Sequence, residues 1–156
     1  MAGESGTLEM SETLAKVVAY CLGEARMKIE DGSGVVPFSV IVKGDDMYIE
    51  EFPGEDVVAS RRKAEDAIRA ASDVATDYGL CYDGFLNSNQ GQIDAVLVEA
   101  GNRDMDHSLV IGLIYEVGED GKAKFVNQPA FIQNGAQFFD MEQVKKAKER
   151  EAASQE

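Results

Sequence analysis

The apolar positions of this chain change period once, near Gly79, and that change organises the fold. Before it, helical spacing alternates with one short extended stretch. Leu14, Val17, Val18, Cys21, Leu22 and Ala25 recur on one helical face, as an amphipathic helix requires. Glu9 and Glu12 stand near its start and Arg26 and Lys28 near its end, signs that suit the helix dipole. Asp31-Gly32-Ser33-Gly34 stops it. Pro37 to Lys43 and Met47 to Phe52 then alternate as strands around the turn Gly44-Asp45-Asp46, a hairpin closed by Pro53-Gly54. A second helix carries Val57, Ala64, Ile68, Ala71, Ala75 and Tyr78 as its buried stripe, with Gly79 as its C-terminal cap.

Beyond Gly79 the pattern predicts four strands: Leu80 to Leu86, Ile93 to Ala100, Ser108 to Val117 and Ala123 to Phe131. The turns between them are short, which makes an antiparallel meander the natural arrangement. Ser108 to Val117 is apolar on both faces, with Leu109, Ile111, Leu113 and Tyr115 on one and Val110 and Ile114 on the other. It reads as a central strand covered on both sides. A last helix begins at Asp140, with Met141, Val144 and Ala147 as its apolar stripe and a frayed tail over 150–156. The expectation is one α+β domain spanning 1–156, an antiparallel sheet of five to six strands with helices packed on it, in the order αββαβββ(β)α.

Three resemblances attach to this order. The succession of elements is similar to that of roadblock and profilin-like modules, and implies a small adaptor. Size, acidity and the leading helix resemble the small secretion chaperones, from which the long strand run after Gly79 departs. The placement of Val36-Pro37-Phe38 at the hairpin and Ile93-Asp94-Ala95-Val96 in a later strand looks like an uncharacterised family of small bacterial α+β proteins, which has no activity to transfer.

Charge narrows the partners. The chain holds 29 acidic against 15 basic residues, a formal net charge of −14. Nucleic-acid binders need a basic face to displace counterions, and anionic membranes repel such a surface, so neither partner is expected. Arg61-Arg62-Lys63 is a run of three consecutive basic residues, and reads as a solvated helical turn. No apolar run approaches the ~20 residues of a membrane span. Met1 to Met10 lacks the basic start and apolar stretch of a secretory signal, which points to the cytoplasm. Cys21 and Cys81 then read as reduced, buried thiols.

Readable chemistry is sparse, with one His, two Cys and no Trp. Asp104, Asp106 and His107 form the compact group with metal-ligand character, but their spacing matches no familiar site and suits an ordinary turn. A Cys81–His107 pair would need an electropositive setting that an acidic chain does not supply. No cofactor is implied. Asp45, Asp46, Glu50, Glu51, Glu55 and Asp56 cluster around the first hairpin, either to keep that edge from pairing or to dock a basic partner. Glu50 and Glu51 should face opposite ways.

The resulting expectation is a non-enzymatic interaction module acting through an acidic surface. It would form a homodimer through the sheet face of Val110 and Ile114 or through the edge of the meander. The alternatives are an acidic chaperone or immunity-type protein binding a basic client, a mimic of nucleic-acid charge, and an enzyme or ligand-binding protein whose site is built from scattered groups.

Overall fold

A computed structural model describes residues 10–154 of the chain. Among the described residues the fold is α+β, with three helices and one antiparallel sheet. The elements are α1 (Glu12–Glu30), β1 (Phe38–Lys43), β2 (Asp46–Glu51), α2 (Val57–Ala70), β3 (Asp77–Ser88), β4 (Gly91–Asn102), β5 (Ser108–Val117), β6 (Ala123–Phe125), β7 (Ala130–Gly135) and α3 (Met141–Ser154). The sheet runs β2-β1-β3-β4-β5-β6, and β7 shares the outer edge of β5 with β6.

Local chemistry explains most boundaries. Ser11 caps α1, its Oγ accepting the Leu14 amide at 3.1 Å. Asp56 does the same for α2 toward Val58 and Ala59, and Asp140 for α3 toward Glu142 and Gln143. Each satisfies amides the helix leaves free. Glu9, expected to favour the α1 dipole, lies outside the described residues. Gly44 turns the first hairpin with φ of +62°, where a side chain would be strained.

Three boundaries differ from expectation. The second helix ends at Ala70, capped by Ala71, so Tyr78 and Gly79 belong to β3 rather than to a helix and its cap. The apparent helical stripe through Ala71, Ala75 and Tyr78 arises because a turn and a strand follow with inward-facing positions in phase. Its first member, Val57, is exposed. The predicted strand Ala123–Phe131 is two strands, split at Val126-Asn127-Gln128-Pro129. Proline cannot donate to a ladder, so pairing stops before it. The third helix continues to Ser154, with Glu151 held by buried Arg103 at 2.9 and 3.1 Å, inside the stretch expected to fray.

Alternation along the strands sorts the apolar residues into two layers. Phe38, Val40, Val42, Cys81, Val96, Val98, Leu109, Ile111 and Leu113 meet Leu14, Val17, Val18, Cys21 and Ala25 of α1. On the other face, Tyr78, Leu80, Tyr82, Leu97 and Val110 meet Ala64 and Ile68 of α2, Phe138 and Phe139 of the segment before α3, and Val144 of α3. Leu22, expected in the core, is half-buried at its margin.

Gly79 sets the spacing of the first layer. A Cβ there would stand 2.7 Å from Val17 Cγ1 and 3.1 Å from Cys21 Sγ. Both neighbours are fully buried side chains with no room to retreat. Gly79→Ala should therefore destabilise the fold by about 1–3 kcal/mol through overpacking. Urea denaturation monitored by circular dichroism measures it, and an unchanged midpoint would mean that α1 can move outward freely.

Candidate functional site

A concavity with convergent polar groups lies between α2 and β7, on the sheet face opposite α1. It is a cleft of about 770 Å³. Its apolar walls include Leu86, Leu97, Val110 and Ile132, and its polar end is Arg61, Tyr82 and Glu99. Strand alternation places these groups together. Tyr82 and Leu97 are paired across β3 and β4, and Glu99 and Val110 across β4 and β5, so all four side chains share one face.

Glu99 is the unusual member. It stands in a central strand at 9% exposure, between Val98 and Ala100. A carboxylate so placed is costly unless partnered. Tyr82 donates its hydroxyl to Glu99 Oε2 at 2.5 Å, and the Arg61 guanidinium lies 3.8 Å from the same oxygen. That guanidinium also stacks 4.0 Å over the Tyr82 ring, a cation–π contact. Among the described residues, Arg61 Nε is buried without a hydrogen-bond partner. Burial and the neighbouring Glu99 push the Tyr82 hydroxyl up, so it stays protonated as a donor. Glu65, one turn beyond Arg61 on α2, is also pushed up, first by desolvation and then by the charge of Glu99. The Arg61 guanidinium thus stands near two carboxylates, with Arg69 also acting on Glu65.

The residues singled out from sequence are scattered by comparison. Asp104 forms an ion pair with Lys148 at 2.7 Å, and His107 Nδ1 lies 3.2 Å from the carbonyl oxygen of Ser108. Among the described residues no cluster of three or more His, Cys, Asp or Glu is arranged to hold a metal ion, so Asp104, Asp106 and His107 do not form a centre. Cys21 and Cys81 are free and buried. Burial raises the Cys81 thiol well above its ordinary range, and its Sγ faces the Cys21 carbonyl at 3.7 Å, not a histidine.

Asp45, Asp46, Glu50, Glu51, Glu55 and Asp56 are all exposed. Four of them flank or lie on β2, the outermost strand, and Glu50 and Glu51 pair opposite Ser39 and Phe38 and so face opposite ways. Asp56 is occupied as the α2 cap. Val110 is only 8% exposed and Ile114 is half-buried.

Sequence reading missed Glu99 and Tyr82 and took Arg61 for a solvated charge. The available signal was Glu99 itself, the lone charge in Ala95-Val96-Leu97-Val98-Glu99-Ala100-Gly101 at an inward-facing position. No helix of the described residues is long and apolar enough to cross a membrane. Comparison with known proteins gives no match to a family model, a curated protein or a solved structure.

Two outcomes follow from this geometry. Tyr82→Phe removes the short donor to a buried carboxylate and should cost about 1–3 kcal/mol, read from urea midpoints against wild type. Stability should also rise, not fall, as pH drops from neutrality into the carboxylate range. Glu65, Asp77 and Asp83 are all raised, each chiefly by desolvation. The folded state then binds more protons than the unfolded one, and its stability is lost as pH rises through those raised values. Urea midpoints at neutral pH and at about pH 5 check the sign, with Glu65→Gln reducing the difference.

Proposed function

We propose that this chain is a non-enzymatic protein-interaction module that receives a basic, partly apolar segment of a partner protein in the cleft between α2 and β7. The observation that carries this reading is a cleft of mixed apolar and polar lining whose charged side chains are Glu99 and Arg61, with a second carboxylate, Glu65 of α2, close enough to feel the charge of Glu99. A segment that places apolar side chains against Leu97 and Val110 and a cation near Glu99 would match that lining. The formal charge of −14 and the acidic outer strand β2 favour the same partner at longer range. Tyr82, held protonated, serves as a fixed donor rather than as a base.

A small-ligand reading is favoured by one feature, the unpartnered Arg61 Nε beside Glu99. Together they offer a donor next to an acceptor, which suits an amide-like group.

Fluorescence anisotropy with a labelled peptide of alternating Lys and Leu, and its Glu/Leu counterpart, tests the main reading. The basic peptide should bind and weaken with salt, and the acidic one should not. Glu99→Gln should weaken binding by about tenfold while the protein stays folded. Neutralising Asp45, Asp46, Glu50 and Glu51 together should slow association with little change in dissociation. Equal binding of both peptides, or indifference to Glu99→Gln, overturns the assignment.

A further inference from the structure

The two outer edges of the sheet are opposite in character. At one end β2 carries Asp46, Glu50 and Glu51, with Asp45 in its turn. Charges on an edge strand keep it from pairing with another copy, since like charges would meet. At the other end β7 carries no charge. It belongs to the longest uncharged run in the chain, the fifteen residues from Phe125 to Phe139 between Lys124 and Asp140. In a chain with 44 charged residues, 29 acidic and 15 basic, such a run would be expected inside. Here Val126 to Asn134 are exposed, with Phe131 at 46% and Ile132 at 37%.

Along β7 one edge pairs with β5, from Gly135 opposite Ser108 to Ala130 opposite Gly112, and no strand among the described residues pairs with its other edge. An exposed edge without a charge lacks one of the devices that block strand addition.

We infer that β7 is a homotypic interface: two copies of this chain pair antiparallel along β7 about a two-fold axis and join their sheets into one. The occupant is a second copy because an antiparallel edge strand meets itself under two-fold symmetry, one patch serving both subunits. Charge supports the choice. This is the stretch where two chains of −14 can approach without bringing carboxylates together. The β5–β7 ladder has an irregularity between Val110 and Ile111, where β7 carries the extra residue Ile132. That residue turns toward Gly112 on the cleft side, leaving Phe131 opposite Ile111 on the other face. Pairing would thus cover apolar groups on both faces of the joined sheet. Ile132, Gln133 and Gly135 also line the cleft, so a second β7 would stand beside its wall. The inference does not depend on what the cleft binds.

Sedimentation equilibrium of the full chain, from micromolar to hundreds of micromolar, tests it. The mass should rise from 16.9 kDa toward twice that value. Phe131→Glu and Asn134→Glu should each weaken association by roughly tenfold, because two-fold symmetry applies every like-charge contact twice. Ile49→Glu, on the opposite edge, should leave association unchanged. Asn134 is exposed, so its variant stays informative if Phe131→Glu unfolds. A wild-type chain that remains monomeric throughout, association unaffected by Asn134→Glu, or loss of association with Ile49→Glu overturns the inference.

Discussion

The second layer of this fold depends on one polar node. Tyr78, fully buried in β3, donates its hydroxyl to Gln137 Oε1 at 2.9 Å and accepts the Phe138 amide at 3.1 Å. Gln137 in turn donates its amide to the carbonyl oxygens of Asn102 and Met105. These four bonds tie the strand β3, the β4–β5 connection and the segment after β7 to one point. Ser72 adds a fifth tie, accepting the Asp140 amide at 2.7 Å. Without them the segment carrying Phe138 and Phe139 would have little to fix it beneath α3, and buried backbone groups would lose their partners. Gly101 makes the node possible, because a Cβ there would meet the Tyr78 hydroxyl at 2.6 Å.

The node also shapes the cleft. The chain leaves β7 at Gly135 and crosses the sheet face to Tyr78, while α2 lies over β1 and β3. Between these two paths the face of β4 and β5 stays open, and there Glu99 and Arg61 meet. A sheet face fully covered by helices would have been built from apolar residues alone. The pair of Glu99 and Tyr82 marks where cover gives way to access, and its cost in a buried strand is the physical reason to read it as a site. On the α1 face, by contrast, Cys21, Gly79 and Cys81 close the surface, and the polar pair there, Tyr115 and Asp83, lies toward the far end of β3.

Much of the architecture could be read from the sequence because burial imposes a period. Leu14, Val17, Val18 and Cys21 repeat as a helix face, and Leu109, Ile111 and Leu113 alternate with Val110 as a strand covered on both sides. Both patterns survive folding unchanged. Errors fell where two patterns coincide. Ala71, Ala75 and Tyr78 keep helical spacing by accident, and Gly79 looks like a cap when its role is to let α1 approach. The site was less legible. Arg61, Tyr82 and Glu99 are far apart in the chain, and no local spacing relates them.

Period and charge thus determined the order of the main elements, the two faces of the central strand and the acidity of the first edge, since each is a property of neighbouring residues. The meeting of Arg61 with Tyr82 and Glu99, the crossing held by Gln137 and the exposure of the uncharged β7 edge were decided by folding. They depend on which strands become neighbours and where the returning chain passes, and those are contacts between residues distant in sequence.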